Sequence, residues 1–208
     1  MKVMLVNGSP HKEGNTHLAL TQIVQTLAQE DIDSEIFWLG HKPIAGCQGC
    51  RACRQLGSGF CVIEDVVNEF LRISPAFDGF IFGTPVHWAG ASGALTSFMD
   101  RAFYADPGQF YLKPAAAICV ARRSGATATW DQLNKYFGLV QMPIVTSQYW
   151  NLAHGGASGE VEQDAEGMQT MRTLARNMAF LLKCKQAGIE SGVQLPQREP
   201  GVFTNFIR

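Results

Sequence analysis

Short apolar runs alternate along the chain with longer segments in which apolar residues recur every three or four positions. The first run, residues 3–6, stops at Asn7–Gly8, and comparable runs follow at residues 35–39, 77–83, 115–120 and 143–146. Short runs that end at Gly or Pro are typical of strands buried on both faces. The pattern therefore predicts five buried strands.

Five helical segments separate and follow these runs. The first is expected to begin at Asn15–Thr16, because both residue types favour N-cap positions and apolar residues at helical spacing follow. The others are expected near Glu64–Asp65, residues 94–103, Trp130 to Phe137, and residues 164–185. Strands that alternate with helices predict a parallel sheet covered on both faces.

The length and composition fit one domain. The chain has 208 residues, 46% of them hydrophobic, and it shows no repeat or linker. We therefore expect a single domain over residues 1–208, with a cysteine-rich loop at 41–61 and an aperiodic tail at 188–208.

The charge balance argues against two classes of partner. A formal net charge of −1 and a pI near 6.5 provide no basic field for nucleic acid and no polybasic segment for a membrane surface. The sequence shows neither a signal-peptide pattern nor an apolar stretch long enough to span a bilayer. We expect a cytoplasmic protein that binds neither nucleic acid nor membrane.

The loop after the first strand has the features of an anion site. The first amides of a helix lack intrahelical acceptors and carry partial positive charge. Ser9, Asn15 and Thr16 lie at this junction and can surround a phosphate together with the loop amides. The spacing matches neither Walker nor dinucleotide-binding patterns. An ordinary strand–helix turn stays open as an alternative.

Ligands of open parallel sheets bind beyond the carboxyl ends of the strands. We therefore expect the loops 7–16, 84–93 and 121–128 to converge. Pro85 keeps the second loop extended, and the three residues after it offer flat or apolar surface to a planar ring. In the third loop, Arg122 provides a cation that can reach a ring edge, although a solvated arginine is the simpler alternative.

Four cysteines lie close together in the sequence, at Cys47, Cys50, Cys53 and Cys61. Three thiolates with two-residue spacers and a more distant fourth can hold an iron–sulfur cube. A zinc site usually has two separate Cys-x-x-Cys pairs, so the shared middle cysteine disfavours zinc. Zinc and free thiols remain open. Cys119 and Cys184 are expected to be packing residues.

Three motifs together resemble a known family. Gly8-Ser9-Pro10 with Gly14-Asn15-Thr16, Thr84-Pro85-Val86 with the following aromatic, and Ser92-Gly93 through Asp100-Arg101 are similar to the flavodoxin-like NAD(P)H-dependent FMN reductases. The run from Cys47 to Cys61 resembles their iron–sulfur flavoprotein branch. The resemblance implies a flavodoxin-like three-layer α/β/α sandwich with a five-stranded parallel sheet of order 2-1-3-4-5. Apart from the resemblance, we expect Asp100–Arg101 to be structural, with an ion pair or a helix-end contact that ties this helix to a neighbour.

The resemblance further implies which residues bind the cofactors. The FMN-binding residues would be Ser9, His11, Asn15, Thr16, Pro85, Val86, His87, Trp88, Ser92, Gly93, Arg122, Ser124 and Gly125. The ligands of a [4Fe–4S] cluster would be Cys47, Cys50, Cys53 and Cys61. His87 is expected to be a hydrogen-bonding or surface histidine rather than a catalytic base, and no residue is expected to act as a general acid or base.

The function implied is that of an FMN-dependent oxidoreductase. Its electron donor would be NAD(P)H or a ferredoxin-like protein, its acceptor a small molecule, and its assembly a homodimer or homotetramer. Two alternatives come from other classes of protein. One is a non-enzymatic, flavodoxin-like electron carrier, and the other is a zinc-bearing binding module that uses the sheet as a scaffold.

Overall fold

The structure, a computed structural model, describes residues 1–207. Arg208, the last residue of the expected tail, lies outside the described residues. The strands are β1 (Lys2–Asn7), β2 (Asp33–Trp38), β3 (Gly79–His87), β4 (Gly90–Ala91), β5 (Ala115–Ala121) and β6 (Leu152–His154). The α-helices are α1 (Asn15–Gln29), α2 (Ala52–Leu56), α3 (Val66–Ile73), α4 (Gly93–Ala105), α5 (Ala126–Leu139) and α6 (Ala165–Glu190).

The sheet has the order β2-β1-β3-β5-β6 with these five strands parallel, and the short β4 pairs antiparallel with β3. Side chains along a strand point alternately to opposite faces. In β1, Met4 and Val6 therefore face a core shared with α3, α4 and α5, while Val3 and Leu5 face α1 and α6. The predicted flavodoxin-like α/β/α fold is confirmed.

The predicted fifth strand, residues 143–146, is wrong. Ile144 forms only an isolated bridge with Ala115, and β6 instead occupies the edge beside β5. The intervening chain leaves the sheet because the buried Asn151 closes a loop: its Nδ2 donates to the carbonyl of Val145 at 3.2 Å, and its Oδ1 accepts from Ser147 at 2.8 Å.

The predicted ends of β3 and α1 are also corrected. β3 does not stop at Gly83 but continues to His87, since Pro85 still pairs in register with Val120 of β5. Asn15 is the first residue of α1, and Gly14 is its N-cap. The five-residue helix α2 inside the cysteine-rich loop was not predicted. None of the helices among residues 1–207 combines the length and the apolar character that crossing a bilayer requires.

Candidate functional site

The loops at the carboxyl edge of the sheet are joined by hydrogen bonds. The amide of Gly8, after β1, donates to the carbonyl of Gly83 in β3 at 2.8 Å. The hydroxyl of Ser92, before α4, donates to the carbonyl of Gly8 at 2.7 Å. The loops expected from the sequence at 7–16 and 84–93 therefore lie side by side.

The loop before α1 is held by its own short side chains. The amide of Ser9 donates to Asn7 Oδ1 at 3.0 Å, and Ser9 Oγ accepts from the amide of His11 at 3.2 Å. Ser9 and Thr16 are buried, whereas His11 is exposed. An open groove lies beside this loop and is lined by residues 10–15 together with Gly156 and Ser158.

Asn15 has a different environment from the one expected. Its Nδ2 donates to the carbonyl of Ala157 at 2.8 Å, and its Oδ1 accepts from the amides of Gly159 at 3.0 Å and Val161 at 3.4 Å. Its amide therefore attaches the loop 155–161 to the start of α1. Sequence reasoning missed this loop, because the contact joins residues more than 140 positions apart.

The loop 155–161 contains a carboxylate with a lowered pKa. Glu160 Oε2 accepts from the amides of Ala157 and Gly156, both at 2.7 Å. These two backbone bonds, the one from Ala157 first, stabilise the ionised form and lower the pKa of Glu160 below its ordinary value. Gly156 and Ser158 complete the wall of the groove beside His11.

The hairpin of β3 and β4 presents the second set of predicted residues. Pro85 and Val86 are half-buried, and His87 and Trp88 are exposed. Trp88 and Ala89 have φ angles of 52° and 56°, which suit a two-residue hairpin turn but are strained for residues with side chains. The turn leaves the indole of Trp88 fully in solvent at the edge of the site.

Ser92 and Gly93 lie at the start of α4. Ser92 is buried, and its hydroxyl accepts from the amide of Leu95 at 3.3 Å while it donates to Gly8. Its side chain is therefore the N-cap of α4 and a connection to the first loop. Gly93 is the first residue of α4 and is exposed.

The third predicted loop, residues 121–128, contacts the hairpin of β3 and β4. Gly125 has a φ of 88°, and a Cβ at this position would lie 2.8 Å from Cα of Ala89. Arg122 and Ser124 are exposed beside it. The three predicted loops therefore lie next to one another at one edge of the sheet.

The four clustered cysteines line a single small cavity, together with Arg101 and Tyr104. Cys47 and Cys50 are exposed, Cys53 is buried at the start of α2, and Cys61 is half-buried. Gly49 and Arg51 have left-handed φ angles of 64° and 60°, which let the chain turn tightly between the thiols. Within residues 1–207, no three His, Cys, Asp or Glu side chains converge on the position of one metal ion.

Arg101 provides the ion pair expected of the Asp100–Arg101 motif. Its partner is Asp65, the N-cap of α3, at 2.6 Å. Burial alone would lower the pKa of Arg101, but the hydrogen bonds to Asp65 and Cys61 raise it above its ordinary value. The neighbouring Asp100 accepts from the hydroxyl of Tyr136 at 2.6 Å.

The remaining two cysteines, Cys119 and Cys184, lie outside the cavity that the four clustered cysteines line. Cys119 is buried in β5, and burial raises the pKa of its thiol, so it is an inert packing residue. Cys184 is exposed on α6, contrary to the packing role expected for it.

A parallel sheet with its strand order reversed beside β1, and with a polar loop at the start of α1, defines a flavodoxin-like protein. The model of the NADPH-dependent FMN reductase family matches residues 1–157. An iron–sulfur flavoprotein from Methanocaldococcus jannaschii is 33% identical over 192 residues, which cover 88% of this chain and 98% of the relative. This chain belongs to the NADPH-dependent FMN reductase family and to its iron–sulfur flavoprotein branch, and it is a flavin-dependent oxidoreductase.

Solved structures share the fold. RosB, solved with a bound intermediate, has a TM-score of 0.70 at 16% identity, with 100% of this chain and 94% of RosB covered. The NAD(P)H:quinone oxidoreductase from Methanothermobacter marburgensis has a TM-score of 0.65 at 15% identity, with 86% and 96% covered.

Proposed function

We propose that this oxidoreductase takes electrons from NAD(P)H, or from a ferredoxin-like donor, and passes them through FMN and a [4Fe–4S] cluster to a small-molecule acceptor. The observation that carries the proposal is the single cavity shared by Cys47, Cys50, Cys53 and Cys61. The name of the archaeal relative, iron–sulfur flavoprotein, supports it.

The chain's part in flavin chemistry is to bind and orient. Ser9, Thr16 and the first amides of α1 would hold the phosphate, because the helix N-terminus favours an anion. The segment 85–88 would border the ring, and Arg122 would place positive charge near its edge. When bound, FMN supplies hydride acceptance and one-electron transfer, and a nearby cation favours its reduced anion.

The cysteine cavity fits an iron–sulfur cluster in the chemistry of its donors. Four soft sulfur ligands on one loop are the set that iron–sulfur clusters and zinc select. The tight turns at Gly49 and Arg51 and the short helix α2 bring the second and third thiols to the same cavity as Cys61. The shared middle cysteine favours the cluster over zinc.

Anaerobic purification followed by metal and sulfide analysis tests the cluster. We expect about four iron and four sulfide per chain, with a broad visible absorbance beside the flavin bands. Cys53→Ser should lose the iron and sulfide, whereas Cys184→Ser, which changes a cysteine outside the cavity, should retain them. Zinc without iron or sulfide in the parent protein would contradict the cluster and favour the zinc-bearing module.

Steady-state oxidation of NADH and NADPH by the FMN-loaded protein tests the enzyme activity. We expect turnover with at least one nicotinamide when an artificial acceptor is present. Turnover with neither, together with electron exchange with a reduced ferredoxin that does not go on to reduce the acceptor, would identify the protein as an electron carrier instead.

A further inference from the structure

Cys61 is the most firmly held of the four cavity cysteines. Its Sγ accepts a hydrogen bond from Nε of Arg101 at 3.3 Å. The buried Asn68 binds its backbone, accepting from the Cys61 amide at 2.9 Å and donating to the Cys61 carbonyl at 2.8 Å. Side chains from both α3 and α4 therefore fix this cysteine, whereas Cys47 and Cys50 lie on the exposed part of the loop.

Arg101 uses every donor of its guanidinium to organise this region. Besides Nε, Nη1 donates to Asp65 at 2.6 Å and to the carbonyl of Ala45 at 3.3 Å. Nη2 donates to the carbonyl of Ile63 at 2.7 Å and to Asp65 at 2.9 Å. A guanidinium has five N–H donors in a rigid fork, so five bonds fix its orientation completely. The cysteine loop is thus tied to α4 both before Cys47 and around Cys61.

The charge of Arg101 is balanced next to the thiol. The Arg101 side chain has no exposed surface, and the Asp65 carboxylate that pairs with it is 26% exposed. The pair is neutral as a whole, but its positive end carries the N–H that contacts sulfur. A hydrogen bond to a ligand sulfur withdraws negative charge from it, and this favours the reduced, more negative state of an iron–sulfur cluster.

We propose that Arg101 is a positioning residue of the cysteine site, which fixes Cys61 as a hydrogen-bonded ligand and raises the reduction potential of a cluster bound there. The inference rests on the cluster of the proposed function. Within the Arg101–Asp65 pair, the guanidinium raises the reduction potential of the cluster and the carboxylate lowers it.

Two variants separate this role from a structural one. Arg101→Gln removes the cation and leaves the Asp65 carboxylate without its partner, so the midpoint potential should shift negative. Asp65→Asn leaves the guanidinium uncompensated, so the midpoint potential should shift positive. Asparagine is itself a good N-cap residue, so Asp65→Asn keeps the cap of α3. The measurement is a redox titration of the anaerobic holoprotein followed by electron paramagnetic resonance, with iron and sulfide counted for each variant.

The outcomes distinguish the two proposals. Opposite shifts in the two variants support the role of Arg101. A parent protein with its cluster, and variants that keep both its occupancy and its potential, would overturn the inference and leave the proposed function intact. A parent protein without iron and sulfide would overturn the cluster itself. If Arg101→Gln does not fold, the sign of the shift in Asp65→Asn decides, and no shift or a negative one overturns the inference.

Discussion

At the scale of single residues, the side-chain amide of Asn15 joins two loops of the candidate site. Its oxygen accepts from two backbone amides of the loop 155–161, and its nitrogen donates to a carbonyl of the same loop. The side chain therefore joins the loop 155–161 to the start of α1, and these two segments form the walls of one groove.

We expect Asn15→Ala to lower the free energy of unfolding by about 1–2 kcal/mol, because two loop amides and one carbonyl lose their partner. Chemical denaturation measures this change, and ultrafiltration of FMN-loaded protein should show faster loss of flavin. Asn15→Asp is the matched control, since it keeps the acceptor for Gly159 but places a second oxygen, which repels the Ala157 carbonyl, where the amide donated. Equal flavin retention by Asn15→Ala and the parent would contradict this role for the loop.

Gly125 is a second residue that shapes the candidate site, here through its backbone conformation. Gly125→Ala should lower the free energy of unfolding by about 1–3 kcal/mol, because a side chain is strained at its φ of 88° and would meet Ala89. Gly138→Ala, on the same helix α5 and with open space around the new methyl, should instead raise it by roughly 0.5–1 kcal/mol. Thermal and denaturant unfolding of both variants measure the contrast, and equal free energies of unfolding for the two variants would contradict it.

At the scale of elements, the sequence predicted what depends on local pattern. The continuous apolar runs that became β1 and β5 were found within a residue of their predicted ends, because burial on both faces leaves an unbroken signature. Residues 143–146 show the same signature, but the buried amide of Asn151 turns the chain away from the sheet. The five residues of α2 are too few to show a helical repeat.

The parts of the candidate site also differ in how far the sequence alone could predict them. The strand order predicts where the loops 7–16, 84–93 and 121–128 lie, and the spacing of the four cysteines predicts that they share a site. The sequence could therefore indicate both. The contacts of Asn15 with residues 157–161 and of Arg101 with Cys61 join distant parts of the chain. Such contacts leave no periodic trace in one sequence. The cofactor-binding roles expected of Ser92 and Asn15 stay predictions, and the structure adds that both side chains hold neighbouring loops.

The loop 155–161 should respond to acid through Glu160. Because the folded-state pKa of this carboxyl is lowered, its bonds to Ala157 and Gly156 stabilise the loop above the ordinary pKa of 4.5 and are lost as the pH falls through the folded value. Amide hydrogen exchange, corrected for the intrinsic rate at each pH, should show protection of both amides at neutral pH and its loss in acid. Glu160→Ala, which removes the acceptor, should show low protection throughout, and protection that ignored pH in the parent would contradict the assignment.

At the scale of the whole molecule, the tail carries apolar side chains that the chain itself does not cover. Val202, Phe203, Phe206 and Ile207 are between 86% and 96% exposed. Grouped exposed apolar residues mark interaction surfaces. Upstream of them, the tail contacts the body through the carbonyl of Pro196, which accepts from Tyr111 at 3.2 Å.

We expect the full chain to form a homodimer or homotetramer in which this part of the tail contacts a second copy. Deleting residues 201–208 should lower the mass measured by light scattering, because it removes the exposed apolar group but keeps the contact of Pro196 with Tyr111. The unfolding temperature extrapolated to low protein concentration should be unchanged, since residues 201–207 lie outside the core. A monomeric full chain, or an unchanged mass after deletion, would contradict this assembly.

Helix α4 connects the two candidate sites directly. Its N-cap, Ser92, holds the loop before α1 through Gly8, and Arg101, nine residues later, holds Cys61. At 1.5 Å per residue the two attachment points are about 14 Å apart along the helix axis. A helix changes little in length, so the distance between the two attachment points stays nearly constant even when the flanking loops move. Under the proposed function, the spacing between the residues that would hold the flavin and those that would hold the cluster would be set by the scaffold, and ligands that reshape the flavin-side loops would alter access without altering that spacing.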